Sequence, residues 1–497
     1  MGDATALVII LAGELLKKAE QLINLGLHPS EILGGYELAR DKALQELESG
    51  FLALGSRSCE QYTDRELFFE TDLSVAQLST PPTVKSLALA LRPCIASKQY
   101  GQEDILAPLV AQAISLVLPP SAASSSSSGN KALGLKDFNI DNVRVVKTMG
   151  GSLADSRVVR GMLFNREPEG VVKRVKDGAK VAVFSCGVDI SQTETKGTVL
   201  LHNAKELSIF SHGEEKQLEK VIKEIADSGV KVVVSQSTVG ELALHYLNRF
   251  NILCIKVLSK FELRRLCILI GATPLARVGA PTPEEAGWAD VVETTEIGGD
   301  RVTVFRQEEG QPGGKAKPRM ATVVLRGATS NHLDDVERAI DDGVNVIKSL
   351  TRDSRLVPGA GATEMELAKR VAEFGEKTPG LNQHSIRKFA EALEVVPRTL
   401  AENAGLDATQ VVSTLSARHA LGAEGEDFGV DIEAEGGAGE GVVSTKQTHV
   451  FDVLSAKHWA IKYAVGAAIT VLKVDSIIMS KPAGIKTPKS NPNWDDD

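Results

Sequence analysis

Four short segments of this 497-residue chain carry side chains that could handle a phosphate, a metal ion or a sugar. The first is Gly2-Asp3-Ala4-Thr5, directly ahead of an apolar helical run. Free N–H groups at a helix start attract anions, and a neighbouring carboxylate can hold the Mg2+ that accompanies phosphates. The same Asp and Thr also serve as ordinary caps. The second is Asp341-Asp342. Adjacent acids form a solvated helix face unless one projects into a cleft and polarises a water, as phosphoanhydride hydrolysis requires. The third, VPGAGATE at 357–364, puts small residues at the opening of a helix, where backbone can approach a phosphate or an adenine ring. A plain loop with Thr363 as its cap reads the same way. The fourth is Asp452, a carboxylate able to grip ribose hydroxyls or to cap a helix.

Other chemistries find no support. There is no Walker A sequence, no GxGxxG and no Ser/His/Asp arrangement, and nine scattered histidines do not form a ligand set. The five cysteines, Cys59, Cys94, Cys186, Cys254 and Cys267, are odd in number and widely spaced. They indicate neither a disulfide framework nor a zinc site, and a reducing compartment fits them. A formal charge of −9 argues against a nucleic-acid or anionic-membrane surface. The first apolar run, 6–12, breaks at Gly13-Glu14 and lacks a basic flank, so no signal or membrane span is expected and the reading is cytosolic. Position 6 is Ala, which sets aside myristoylation of Gly2.

The elements that must position these residues fall into three textures. Residues 5 to about 50 read as helix: Val8, Leu11, Leu15, Leu16, Ala19, Leu22 and Ile23 recur at helical spacing up to Gly26, and a second helix follows with Ser30 as its N-cap. Residues 65–118 are again helical, broken by Pro-Pro at 81–82, and lead to a linker with serines at 124–128. After Asn139, β-rich runs at 143–146, 181–185, 230–234, 252–257 and 302–305 alternate with helices at 214–226 and 239–249, the pattern of an α/β module. A Gly/Lys/Pro-rich loop at 308–318, a strand at 321–325 and long helices to about 421 follow, with a polar tail after Pro482 that reads as disordered. With aromatics at 4%, the core must be aliphatic. The order helical, α/β, helical suits a multidomain chain that leaves one helical domain, builds an inserted module and returns; three domains in a row read similarly.

Taken together, the segments resemble the group II chaperonins, the double-ring folding machines of archaea and the eukaryotic cytosol. The resemblance rests on GDATALVIILAGELL at 2–16, SKQYG at 97–101, TETKGTVL at 193–200, ATVVLRG at 321–327, DDVERAIDDG at 334–343, VPGAGATEMELAK at 357–369 and AEALEVVPRTLAENAG at 390–405, in family order across essentially the whole chain. It implies a helical equatorial domain from both chain ends (1–84 and 356–497), a small intermediate domain in two crossings (85–159 and 321–355) and an inserted α/β apical domain (160–320) with a helical protrusion near 195–228. It further implies ATP and Mg2+ as cofactors. Asp3 would ligate Mg2+, with Gly2, Ala4 and Thr5 along the phosphates. Asp342 would orient the attacking water, and Lys98 would sense the terminal phosphate. Gly359 and Ala360 would pass along the nucleotide, Gly429 would lie near adenine and Asp452 would bind ribose. The implied partners are other subunits of a hetero-oligomeric double ring and non-native clients such as cytoskeletal proteins, with no nucleic acid and no membrane. The helix at 239–249, with Leu242, Leu244, Tyr246 and Leu247, would line the client groove, although half of such a face must pack inward.

Two departures from the family pattern bear on the site. Ala4 stands where the family has a glycine in GDG, and Ala360 stands at the centre of its GGG; each methyl limits backbone angles and narrows the approach. The family's glycine-rich phosphate loop and second acidic motif are not found, so the expectation is an N-terminally truncated chain, with residues 67–82 an insertion of the same origin. These departures leave two readings: an ATP-hydrolysing subunit, and a non-hydrolysing structural or client-binding one.

Overall fold

The computed structural model describes residues 2–54, 84–118, 138–176, 178–189, 204–307, 320–353, 355–422, 425–434 and 441–480. The expectations for 67–82, the serines at 124–128, the motif at 193–200, the loop at 308–318 and the tail after 482 lie outside these residues, as does the first part of 195–228. The chain forms two compact units, both discontinuous in sequence. One comprises Met1–Ala4, Phe51–Ala360 and Val443–Lys457, and the other Thr5–Gly50, Gly361–Val442 and His458–Asp497.

In the first unit, helix Ser330–Arg352 is the clearest product of sequence spacing. Leu333, Val336, Ile340, Val344, Ile347 and Leu350 recur at three- and four-residue steps and are buried. They join Leu91 and Ile95 of helix Val84–Ala96 and Leu106, Val110 and Ile114 of helix Glu103–Val117 in one core. Burying each such side chain is worth about 1.5–3 kcal/mol. That core rests on a three-stranded sheet in which Val143–Met149 runs parallel to Ala321–Gly327 in the register Val143↔Ala321, with Arg157–Arg160 antiparallel on the far side. The two parallel strands flank the α/β module, so the chain leaves and re-enters this layer side by side.

Within the module, Leu253–Lys256, Val230–Ser235 and Ala179–Phe184 lie parallel in that spatial order, with Gly287–Ala289 antiparallel at the edge. Their runs of Val, Ala, Ile and Phe are unbroken because both faces are covered, as parallel sheets require. Helices Ala204–Asp227, Glu241–Arg249 and Lys260–Ile270 connect or follow these strands. A second, antiparallel sheet, Met162–Phe164, Asp300–Arg306, Val291–Ile297 and Arg174–Val175, completes the module.

The second unit is predominantly helical: Thr5–Asn24, Ala362–Lys377, Asn382–Leu393, Val395–Asn403, Ala408–Ala420 and the greater parts of Pro29–Leu54 and Leu454–Leu472. Two boundaries differ from the sequence reading. Helix Pro29–Leu54 begins at proline itself, whose fixed φ suits the first turn, and Ser30 lies inside it. Helix Ala362–Lys377 is preceded by Gly361 in the left-handed conformation, so Thr363 is not its cap. The scarce aromatics are used sparingly: Tyr36 meets Phe389 edge-on at 5.8 Å and its hydroxyl donates to Leu15 O at 2.9 Å.

A buried charge cluster ties this unit together. Both ring nitrogens of His419 face oxygens, Nδ1 at 3.2 Å from Glu366 Oε2 and Nε2 at 3.0 Å from Phe428 O. Arg370 donates to Glu366 at 2.7 Å, to Glu46 at 3.2 Å and to Glu426 at 3.5 Å. Burial pushes the Glu366 carboxyl up, but the hydrogen bonds from His419 and Arg370 outweigh it and hold the group below its ordinary value. A depressed folded value means that Glu366 adds stability above the unfolded carboxylate pKa of about 4.3, and that this is lost as pH falls through the lower folded value. Glu366→Gln is therefore expected to lower local stability by about 3 kcal/mol at pH 7. Hydrogen-exchange protection of helix Ala408–Ala420, corrected for intrinsic rates, should show wild type and variant converging below about pH 4.

Candidate functional site

Residues Gly2-Asp3-Ala4 pack on helix Ser330–Arg352 by close backbone approach. Gly2 has φ of 84°, and a Cβ there would sit 2.5 Å from Asn345 Cβ and 2.7 Å from Asp342 O, so only glycine fits. Asp3 Oδ1 accepts from the Ala4 N–H at 2.8 Å. Lys98, in the turn after helix Val84–Ala96, reaches into the same place. Its Nζ lies 2.7 Å from Asp342 Oδ2, 3.9 Å from Asp3 Oδ1 and 3.5 Å from Gly2 O. Of the adjacent acids, Asp342 is thus the one turned to the site. Asp341 has Glu337, Asp342 and Arg265 as its charged neighbours and is raised by burial, then by Glu337 and Asp342.

The remaining carboxylate arrives on a strand. Phe451–Val453 pairs antiparallel with Leu356–Pro358 in the register Val357↔Asp452. Phe451 and Val453 enter the core, and the intervening Asp452 points the other way, as strand alternation requires. Asp452 is therefore mid-strand and not a helix cap. Gly359 sits against it: the Gly359 N–H donates to Val450 O at 3.0 Å, and a Cβ on Gly359 would meet Val450 at 3.0 Å and Asp452 Oδ2 at 3.4 Å. Lys457, buried in the first turn of helix Leu454–Leu472, places its ammonium 2.9 Å from Asp452 Oδ2.

The electrostatics bind these groups into one site. Burial raises the Asp3 carboxyl; the Ala4 N–H, Lys98 and Lys457 pull it down, while Asp452 raises it further. Burial works against the Lys98 ammonium, yet its hydrogen bond to Asp342 and the nearby Cys94, Asp3 and Asp342 raise it above the ordinary lysine value. Cys94 is the shared floor: burial, with Asp3, Asp342 and Asp452 against Lys98, pushes its thiol up to about 12. The site thus joins Gly2, Asp3, Ala4, Lys98, Asp342, Gly359, Ala360 and Asp452 within the first unit. Thr5 and Gly429 belong to the second. Thr5 is the exposed first residue of helix Thr5–Asn24, and Gly429 is buried in strand Phe428–Val430, whose Phe428 carbonyl meets His419. Sequence reasoning missed Cys94 and Lys457, because a lone cysteine or lysine on a helix carries no spacing signal.

Among the described residues no three His, Cys, Asp or Glu side chains converge as a metal cage. Mg2+ keeps waters and takes one or two carboxylates with the phosphates of its ligand, so it needs no such cage. Asp3, a half-buried carboxylate beside others paired with lysines, has the oxygen chemistry that could hold such a cation.

The α/β module carries a second concavity of about 470 Å³ beyond the carboxyl ends of strands Ala179–Phe184 and Val230–Ser235, where open α/β sheets bind their ligands. Ser185, Gln236, Lys260, Leu263, Arg264 and Cys267 are among its lining. The neighbouring helix Lys260–Ile270 exposes Phe261 (77%) and Ile268, and Leu258 precedes it in the open. On helix Glu241–Arg249, by contrast, Leu247 is core, Leu244 and Tyr246 pack against the core, and Leu242 alone of the four is exposed. Of the two helices, Lys260–Ile270 thus leaves more apolar surface exposed.

No described helix is long and apolar enough to cross a membrane. The discontinuous units, the inserted α/β module and the carboxylate–lysine site are those of a chaperonin subunit, and the chain belongs to the TCP-1/cpn60 chaperonin family, whose model matches residues 1–482. It is similar to the probable T-complex protein 1 subunit theta of Schizosaccharomyces pombe, 53% identical over 100% of this chain and 83% of that one. The T-complex protein 1 subunits theta of Saccharomyces cerevisiae and Homo sapiens are 50% and 45% identical, each again over 100% of this chain and over 83% and 82% of theirs. Among solved structures it resembles the open state monomer of a group II chaperonin from Methanococcoides burtonii, at 26% identity and a TM-score of 0.63 over 95% of this chain and 100% of that one.

Both alanine departures lie in the left-handed region, Ala4 at φ 69° and Ala360 at φ 52°. Such backbone costs a non-glycine residue about 1–2 kcal/mol, against about 0.4–1 kcal/mol of chain entropy lost by introducing glycine. The Ala4 methyl also packs on the core. Ala360→Gly should therefore raise stability by about 0.5–1 kcal/mol. A higher thermal unfolding midpoint is the expected readout, and a lower one would mean that the methyl makes compensating contacts.

Proposed function

We propose that the chain is an ATP-hydrolysing subunit of a hetero-oligomeric, double-ring chaperonin that encloses and folds non-native cytosolic proteins, in the place a theta subunit takes. The observation that carries this reading is the joining of Asp3, Lys98, Asp342 and Asp452, from four distant segments, around one floor. A subunit that had given up hydrolysis would have no use for Asp342 beside Lys98 and Asp3, so the non-hydrolysing alternative is not favoured. On this reading the five-segment division at 84, 159, 320 and 355 describes equatorial, intermediate and apical parts.

Bound Mg2+ and ATP would supply the phosphoanhydride and the charge that relieves the carboxylates. Asp3 would hold the cation, with Gly2, Ala4 and Thr5 presenting backbone and hydroxyl to phosphate. Gly359 and Ala360 would line the nucleotide, Gly429 the adenine edge, and Asp452 would accept hydrogen bonds from ribose hydroxyls. Asp342 would take the proton of the attacking water at its carboxylate. Lys98 now pairs with Oδ2 of that carboxylate, which leaves Oδ1 to accept the proton, and a terminal phosphate that drew Lys98 to itself would free the second oxygen. That exchange makes Lys98 the link between nucleotide state and the helix that bears Asp342.

Asp342→Ala should slow phosphate release from this subunit's site by at least about 10²-fold with little loss of nucleotide binding. Unchanged single-turnover hydrolysis would overturn the assignment. Clients would meet the exposed apolar side chains beside the concavity of the α/β module. Phe261→Asp is accordingly expected to weaken capture of an unfolded test protein several-fold while leaving ATP turnover without client unaltered, as measured by pull-down and phosphate release on the same preparation.

A further inference from the structure

We propose that Lys457 is a positioning residue for nucleotide recognition: it pins the Asp452 carboxylate by Oδ2 so that the group is presented to the ribose. The inference rests on the nucleotide reading of the site and adds a specificity determinant to it. Lys457 is only 7% exposed, and a lysine so buried keeps its charge only when counter-charges surround it. Its own helix offers none. The first turn of Leu454–Leu472 is the positive end of the helix dipole, where a cation is disfavoured. The compensation comes from across the site: Asp452 Oδ2 at 2.9 Å, and the charge of Asp3, which feels Lys457 directly. One ammonium thus pairs with Asp452 and adds its field at Asp3.

The surroundings of Asp452 explain why it needs such a partner. Its strand is only three residues long, Phe451–Val453, and its side chain is the one that leaves the core. Gly359 borders it on one side without a side chain to hold it. A carboxylate hinged on a short strand and 29% exposed would sample several rotamers. The ion pair selects one, and a hydrogen bond to a ribose hydroxyl then loses less freedom on forming.

A purely structural salt bridge would shift stability alone, whereas a positioning role shifts sugar discrimination. Isothermal titration of the full chain with Mg·ATP, 2′-deoxy-ATP and 3′-deoxy-ATP reads the difference. Wild type should prefer ATP over at least one deoxy nucleotide by roughly ten- to hundredfold, the worth of a hydrogen bond to a charged group. In Lys457→Met the preference should fall to about threefold or less, and Lys457→Arg should restore it. Because Lys457→Met leaves Asp452 unpaired, the neutral double variant Asp452→Asn/Lys457→Met provides a second route to folded protein. It should discriminate no worse than Asp452→Asn alone, since both lose the same interaction. Discrimination retained by Lys457→Met, or additive losses in the double variant, would overturn the proposal while leaving the nucleotide reading in place. Failure of wild type to bind any of the three nucleotides would overturn both.

Discussion

The site depends on one register, Val357↔Asp452. Two three-residue strands far apart in sequence must pair without a slip. A shift of one residue would turn Asp452 into the core and Phe451 and Val453 out of it. Burying a carboxylate among Leu356, Val453 and their neighbours would cost several kcal/mol, and exposing the two apolar side chains would add about 3–6 kcal/mol. The hydrophobic core of the first unit therefore specifies where the carboxylate points. It does the same for Asp342, whose helix presses Ile340, Val344 and Ile347 into that core and is thereby fixed in rotation. Packing sets the aim of groups that themselves contribute nothing to packing.

Once aimed, the carboxylates create an electrostatic problem that the chain solves only in part. Asp3, Asp342 and Asp452 converge on a half-buried space supplied with the ammoniums of Lys98 and Lys457. Three carboxylates face two ammoniums, and burial keeps the Asp3 carboxyl raised. Lys98 is the more exposed partner in this balance, within 4.0 Å of both Asp3 and Asp342, whereas Lys457 is buried.

How much of this the amino-acid sequence disclosed depended on the range of the interaction. Helix Ser330–Arg352 was legible because its apolar spacing runs for several turns, and the α/β module because unbroken apolar runs alternate with helices. Asp452 as a strand residue was not, since three residues carry no periodicity and the partner strand is remote. Lys457 reads locally as any solvated helix lysine; only the tertiary arrangement reveals it as buried. The exposed stripe of Lys260–Ile270 was missed for a related reason. Both it and Glu241–Arg249 are amphipathic, and a pattern does not say which apolar residues face inward. Family resemblance singled out Asp3, Lys98, Asp342 and Asp452, and the structure shows the contacts among them and with Lys457.

The alanines at 4 and 360 show how far placement dominates local preference. An alanine in place of glycine would ordinarily redirect the backbone away from positive φ. Here it does not: both residues are held in the left-handed region, at φ 69° and 52°. Each is locked by a close approach next to it. Gly2 abuts the backbone of Asp342, and the Gly359 N–H is bonded to Val450 O. Remodelling either turn would break those contacts, so the strain is absorbed where it arises. The methyl groups have therefore not reshaped the two turns that flank the carboxylates. They have made those turns more costly to maintain, and any weakening of the site from these substitutions comes from strain and lost room, not from a different backbone course.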